Sequence, residues 1–372
     1  MTAFEIIVDR IRERGPITVA AFMEIALYEP GAGYYARAAQ RSGRQGDFFT
    51  SVDVGPLFGE LLAVQIAEMA SLVDPTGSAP FDLVEAAAGN GRLSKDILDT
   101  IASELPPLYD RLRLSLVEVS ADARAQQRET LGAHAARLVY NGPGLPRGIR
   151  GAIVANELLD ALPVHMLQQT DAGLREVFVT ERNGALVDVL GEISTPALLD
   201  WVPPDCRDGL APGARFEAGL AADAWIGGAA ASLDRGFLLL FDYGHEAREL
   251  LSPTHAAGTL TSYQSHTADA RSWLANPGDA DLTSHVNLTA VRRAALSSGL
   301  TPAGLLDQTY VLLALGLSDR MQEGSDVASI KRRLAARTLI MPGGLGSTMK
   351  AMAFSKGPGP VALRGFSSGR LS

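Results

Sequence analysis

Phe81-Asp-Leu-Val-Glu-Ala-Ala-Ala-Gly-Asn-Gly-Arg-Leu-Ser-Lys-Asp-Ile-Leu98 reads as a buried strand, a tight glycine turn and the start of a helix. Further along, Leu114-Ser-Leu-Val-Glu118 is a second apolar run that also ends in an acid. Strand, glycine turn, helix, strand and acid in that order is how α/β proteins hold a nucleoside. The glycines let the backbone approach a ligand. The helix N-terminus offers free N–H groups to an anionic end. The second acid can accept hydrogen bonds from ribose hydroxyls.

Two cofactor classes use such a unit. Dinucleotide enzymes need G-x-G-x-x-G, whose third glycine allows close helix–strand packing. Here Gly89-Asn90-Gly91 is followed by Arg92, Leu93 and Ser94, so that glycine is missing. Glu85 instead stands at the end of the first strand, just before the turn. A carboxylate there would repel a pyrophosphate. It suits a cofactor that carries a cationic amino group and a sulfonium, and S-adenosylmethionine has both.

The 372 residues are enough for a large core, or for a main domain with a smaller one. The formal net charge of −9 argues against general nucleic-acid binding, which a cationic surface drives. The single cysteine, Cys206, rules out an intrachain disulfide and a cysteine-rich zinc site. The first fourteen residues mix acids and bases with apolar positions and read as an amphipathic helix, not a signal peptide. No long apolar run suggests a membrane span. A bacterial cytoplasm is the expected location.

Along the chain, residues 1–28 read as two helices divided at Gly15-Pro16, with Thr18 as the second cap. A segment rich in glycine and aromatics, Pro30 to Ser51, has the composition of a binding loop. A long helix follows from about Pro56 to Leu72. Arg137–Tyr140, Gly151–Asn156 and Gly236–Gly244 continue the series of strands, and their apolar runs suit parallel strands buried on both faces. Between the fourth and fifth strands, residues 175–190 alternate around Asn183-Gly184, the signature of a two-residue hairpin with a type I′ turn. Residues 245–335 read as loop and then helices, about 288–298 and 309–318. Residues 337–342 and 349–355 read as a closing pair of strands, followed by a mobile tail. No internal repeat is present.

Ligands of parallel α/β sheets bind beyond the carboxyl ends of the strands. Those ends carry Glu85 with the glycine turn, Glu118-Val-Ser120, Asn156-Glu157-Leu-Leu-Asp160-Ala-Leu-Pro163 and Asp242-Tyr243-Gly244. A strand-end acid by itself is most often a helix cap or solvated. Their concentration at one edge points to a site.

The chain resembles the MidA family of S-adenosylmethionine-dependent methyltransferases, whose mitochondrial members assist assembly of respiratory complex I. The matching segments are Gly31-Ala-Gly-Tyr-Tyr35, Gly46-Asp-Phe-Phe-Thr-Ser51 with Leu57-Phe-Gly-Glu60, and Glu85-Ala-Ala-Ala-Gly-Asn-Gly91. Further along they are Val117-Glu-Val-Ser120, Ala155-Asn-Glu-Leu-Leu-Asp-Ala-Leu-Pro163, Asp242-Tyr-Gly244, Gly258-Thr-Leu260 with Tyr263 and His266, Asn276 to His285, and Gly344-Leu-Gly346 before Met349-Lys350. Gly-Asp-Phe-x-Thr-Ser and Asn-Glu-x-x-Asp-Ala-Leu-Pro are not general methyltransferase features. One departure stands in the cofactor turn, where Ala87 replaces the family's first glycine. Alanine disfavours positive φ, so the turn either strains or takes a φ that alanine tolerates.

The resemblance implies a Rossmann-like, seven-stranded methyltransferase core with an N-terminal helical and loop lid. It also implies an inserted and C-terminal α-rich subdomain. The divisions are 1–75 for the helical segment and cofactor-covering loop, 76–164 for the first part of the core and 165–230 for the hairpin insertion. Residues 231–356 form the second part of the core with its helical subdomain, and 357–372 a flexible tail.

It implies S-adenosyl-L-methionine as cofactor, bound by Glu85, Ala87, Gly89, Gly91 and Glu118, with Asp47, Thr50 and Ser51 closing over it. It implies protein arginine methylation, with Asn156, Glu157, Asp160 and Asp242 at the acceptor, because paired carboxylates match a planar guanidinium. The expected partner is a protein bearing the target arginine, such as a complex I subunit. Neither nucleic acid nor membrane is expected, and a homodimer is open to such a chain.

The six histidines show no H-E-x-x-H or H-x-H spacing, so no metal is expected. His266 and His285 fall in matching segments and are candidates for the acceptor wall. Three alternatives stand beside this reading. They are a small-molecule N- or O-methyltransferase, a non-catalytic assembly factor that keeps the fold, and a nicotinamide enzyme disfavoured by the missing glycine and by Glu85.

Overall fold

The apolar runs become the strands of one mixed sheet. A computed structural model describes residues 1–36, 50–203, 210–264, 267–269, 273–321 and 324–369. Its central strands are β1 (Phe81–Ala86), β2 (Leu112–Val117), β3 (Leu138–Gly142), β4 (Ile149–Asn156), β5 (Leu233–His245), β6 (Thr301–Asp307) and β7 (Met349–Lys356). They lie in the order β6-β7-β5-β4-β1-β2-β3, and Val286–Asn287 adds a short eighth strand beside the end of β5. The first five pair in parallel, whereas β7 runs antiparallel to both β5 and β6. All five parallel strands therefore present their carboxyl ends along one edge.

Alternation decides what each face buries. Leu83, Leu114, Val154, Leu239 and Phe241 pack against the helices α3 (Leu57–Val73) and α4 (Arg92–Glu104). Val84, Ile153, Leu238 and Leu240 pack on the other face, against helices Leu220–Ser232 and Leu288–Ser297. With both faces covered, the strands read as continuous apolar runs.

At the N-terminus, α1 (Ala3–Arg14) starts with a capping box between Thr2 and Glu5, and α2 (Val19–Tyr28) starts at Thr18, whose hydroxyl accepts from the Ala21 N–H. Both helices share a core with a second, antiparallel sheet built from the insertion. In it, Gly173–Arg182 and Ala185–Gly191 form the expected hairpin. Asn183 and Gly184 take φ of 54° and 81°, as a type I′ turn requires. Among the described residues no helix is long and apolar enough to cross a membrane.

Three expectations about the C-terminal region are corrected. Residues 337–342 are not a strand, because the helix Val327–Ile340 runs through them. Asp326 caps that helix through the N–H groups of Ala328 and Ser329, and burial of Leu339 overrides the β-like look of Thr338-Leu-Ile. The true partner of β7 is β6, which had read as part of a helical region. Nor is the segment after β5, which had read as loop, without strands, since Thr261–Gln264, Thr267–Asp269 and Asp281–Thr283 form a small antiparallel sheet. The tail is docked in part, with Leu363 and Phe366 buried and the Gly365 N–H bonded to Gln65 Oε1 at 2.9 Å.

Asp82, Gly151 and Gly236 stand side by side across β1, β4 and β5. A Cβ on Gly151 would lie 1.8 Å from the Asp82 carbonyl oxygen, a backbone atom that cannot swing away. Gly151→Ala should lower unfolding stability by about 1–3 kcal/mol, the usual cost of overpacking. Urea denaturation measures it, and an unchanged midpoint would mean the strands can spread at no cost.

Candidate active site

The carboxyl edge of the sheet opens into a cavity of about 570 Å³. Its floor is the turn after β1. The Ala88 N–H bonds the Val117 carbonyl at 3.1 Å, and the Gly91 N–H closes back on the Ala88 carbonyl at 2.8 Å. Gly89 takes φ of 51° and a Cβ there would meet nothing within 4 Å, so the turn presents bare backbone to open space. Ala87 also has a positive φ, 54°. The backbone thus keeps the glycine-like conformation although alanine occupies it, which stores strain at this turn. Gly91 is the left-handed N-cap of α4, packed under Leu116 and outside the cavity wall.

Acids from the strand ends hold this backbone. Glu118 accepts from the Gly89 N–H through Oε2 and from the Ser120 N–H through Oε1, each at 2.8 Å. Each carboxylate oxygen can still accept a further bond. Glu85 caps α4 across the turn, with Oε2 taking the Ser94 N–H at 3.0 Å and meeting the Ser94 hydroxyl. Burial pushes the Glu85 carboxyl up to about 8, against the pull of its bonds to Ser94.

The covering segment is anchored by residues that local sequence did not single out for this task. Arg92 pairs with Asp53 at 3.0 Å and donates to the Val52 carbonyl at 2.6 Å. Thr50 lines the cavity and bonds Asp53 through its N–H and hydroxyl. Ser51 contributes differently from expectation. Its hydroxyl is buried on Gln308 at 3.0 Å, and the residue does not line the cavity. Asp47 and His266 lie outside the described residues.

Beyond β4 the second half of the cavity is acidic and aromatic. Glu157 stands at a positive φ of 52°, with its N–H on the Phe241 carbonyl and its Oε1 accepting from Asn156 Nδ2 at 3.1 Å. Burial first, and Asp160 second, push its carboxyl up to about 8. Asp160 is 6% exposed and lines the cavity, and burial with Asp242 and Asp281 nearby raises its carboxyl well above the usual range.

Asp242 is corrected from an acceptor-facing group to a positioning residue. It does not line the cavity, and its oxygens take the N–H groups of Leu158, Leu159 and Tyr243 at 3.2, 2.7 and 2.9 Å.

Tyr28, Tyr35, Tyr243, Tyr263 and Asp281 complete this wall. Tyr28 and Tyr35 stack with centroids 5.5 Å apart, and the Tyr35 hydroxyl donates to Asp281 at 2.8 Å. Of these, Asp281 carried no signal of its own in the sequence beyond its place in a matching segment.

Three features show what the cavity lacks within the protein. Asn156 Oδ1, Asp160 Oδ1 and Thr261 Oγ1 belong to its lining, are buried and have no hydrogen-bond partner among the described residues. Buried polar atoms of this kind are ordinarily satisfied. Among the described residues of the lining, Glu85, Glu118, Glu157, Asp160 and Asp281 face two basic residues, Arg92 and His285. His285 also meets His245 and His255, a grouping that spacing along the chain did not reveal.

Known proteins resemble this chain over most of its length. Residues 61–306 match the model of a family described as S-adenosyl-L-methionine-dependent methyltransferases. The mitochondrial protein arginine methyltransferase NDUFAF7 of Mus musculus is 31% identical over 84% of this chain and 74% of its own length. The Homo sapiens protein of that name is 30% identical over 87% and 76%. A Burkholderia thailandensis protein described as a methyl transferase, solved bound to S-adenosyl-homocysteine, superposes with a TM-score of 0.87. It is 30% identical, and the match covers 98% of this chain and 94% of that one.

The raised Glu85 carboxyl makes stability depend on pH. The folded chain holds the proton up to about 8 and the unfolded chain releases it near the usual carboxylate value. The group's contribution is therefore full in acid and is lost as pH rises from about 4.5 through about 8. Glu85→Gln should flatten that decline, as read from urea midpoints across the pH range. Parallel curves for the two proteins would show that folded Glu85 is already ionised.

Proposed function

The chain belongs to the family of S-adenosyl-L-methionine-dependent methyltransferases, and from that premise we propose that its methyl acceptor is the arginine side chain of a protein. The observation that carries this is the pair of unpartnered, buried acceptor atoms on Asn156 and Asp160 in a wall of carboxyls and tyrosines. A guanidinium brings five donors in a plane and favours both carboxylates and aromatic faces. The NDUFAF7 relatives are protein arginine methyltransferases by name, which supports the same acceptor.

The residues present fit the cofactor. Gly89 faces open space, Glu118 has lone pairs left for ribose hydroxyls, and the acidic excess suits a ligand with two positive centres. We assign the cofactor side to Ala87, Gly89 and Glu118, with Glu85 and Gly91 shaping the turn and Thr50 covering it. When bound, the cofactor supplies a methyl group already activated on sulfur.

The protein's part is to orient, desolvate and take a proton. Asp160 and Asn156 hold guanidinium N–H groups, the tyrosines exclude water, and Asp242 keeps the Leu158–Leu159 backbone in place. A guanidinium that gains a methyl group must shed a proton, and Glu157 receives it and returns it to solvent. A base with a value near 8 is well matched to neutral conditions.

Two measurements test this. Glu118→Ala should weaken S-adenosyl-homocysteine binding by about 1–3 kcal/mol in calorimetry, the range for hydrogen bonds to a charged group. Unchanged affinity in the folded variant would remove Glu118 from the ribose.

On arginine-containing peptides, transfer followed by mass spectrometry should give a kcat/KM that rises with pH and levels off above about 8, as Glu157 ionises. Glu157→Gln should bind S-adenosyl-homocysteine as before but lose roughly 100-fold or more in kcat. Methylation of lysine peptides or small amines in preference to arginine would overturn the acceptor assignment.

A further inference from the structure

Three histidines far apart in sequence meet beside the acceptor cavity. His245 ends β5, His255 ends the short turn Pro253–His255, and His285 precedes the Val286–Asn287 strand. Parallel pairing of Gly244 with Val286 and of His245 with Asn287 brings the first and third together. The ring centroids lie 5.3 Å apart for His245 and His255, 5.1 Å for His245 and His285, and 6.1 Å for His255 and His285. Each ring offers a nitrogen within 4.8 Å of the other two.

We propose that His245, His255 and His285 form a binding site for a divalent transition-metal ion, zinc by the chemistry of the donors. Three imidazoles with a fourth position open to solvent are a recurrent zinc set. The surroundings orient the rings as ligands need. His245 Nδ1 is 2.9 Å from the Glu249 carboxylate, and His255 Nδ1 is 3.0 Å from the Glu249 carbonyl oxygen. These bonds put the proton on Nδ1 of both rings and leave Nε2 with a free lone pair. A carboxylate or carbonyl behind a histidine is the usual support for a ligand.

Tetrahedral zinc places its nitrogens roughly 3.4 Å apart, so side-chain rotations of about an ångström close the site.

Such an ion would fasten three loops of the acceptor wall. His285 lines the cavity, its N–H bonds Thr259 Oγ1 at 2.9 Å, and the preceding Ser284 N–H bonds the Asp160 carbonyl at 2.9 Å. Metal at the cluster would therefore fix the backbone that carries Asp160. This proposal stands apart from the identity of the methyl acceptor, because it is tested by metal binding alone.

The full chain, purified without a polyhistidine tag and stripped with chelator, is titrated with Co²⁺ and then Zn²⁺. The expected result is one ion per chain, with the intense visible bands of four-coordinate Co²⁺ lost when Zn²⁺ displaces it. His255→Ala should weaken binding at least 100-fold, and Glu249→Gln by about 10–100-fold. Neither residue lines the cavity, so both variants should keep S-adenosyl-homocysteine binding, which also reports their folding. His245→Gln replaces His255→Ala if the latter fails to fold. Stoichiometry well below one ion, or equal affinity in a folded histidine variant, overturns the proposal.

Discussion

Carboxylates at the ends of parallel strands hold the backbone that follows their neighbours, and the cavity depends on them. Glu118 after β2 takes the Gly89 N–H of the turn after β1. Asp242 at the end of β5 takes the Leu158 and Leu159 N–H groups after β4. Glu85 at the end of β1 takes the Ser94 N–H in the first turn of α4. In each case backbone donors that have no partner within their own element receive one from an acid on a strand. The turns are thereby fixed with their open sides toward the same space.

This support concentrates buried carboxyls, and the consequence is visible in their protonation. Burial raises Glu85, Glu157 and Asp242 to between about 7 and about 8. Isolated ionised groups in such surroundings would be costly, so they hold protons or wait for a cation. Glu85 and Asp242 have backbone partners, whereas Asp160 Oδ1 has none among the described residues. That difference separates acids that hold backbone from one turned to the cavity. The strained φ of Ala87 and Glu157 falls at the same edge, where structure elsewhere holds them.

The acidic and aromatic wall of the cavity has no continuous origin in the chain. Tyr28 and Tyr35 come from α2 and the turn after it, Tyr243 from β5, and Asp281 from the small antiparallel sheet. The hydrogen bond from Tyr35 to Asp281 joins parts of the chain 246 residues apart. The wall therefore forms only when the N-terminal helices and the small antiparallel sheet have both docked. The histidine cluster behind it has the same character, since three loops contribute one imidazole each.

Local chemistry was enough to determine the strand–turn–helix unit at residues 81–98, the Thr18 cap and the Asn183-Gly184 hairpin. In each, a few adjacent residues specify the backbone through φ preference, side-chain capping or period. It also placed Glu118, Glu157 and Asp160 at strand ends, because an acid that closes an apolar run stands out against it.

Tertiary structure alone decided whether such an acid faces the cavity or the backbone, as the contrast of Asp160 with Asp242 shows. It decided that residues 337–340 are helical and that β6 closes the sheet. It turned the Ser51 hydroxyl toward Gln308 and brought His245, His255 and His285 together. These outcomes rest on contacts between segments tens to hundreds of residues apart, and a sequence pattern carries only the preferences of neighbours.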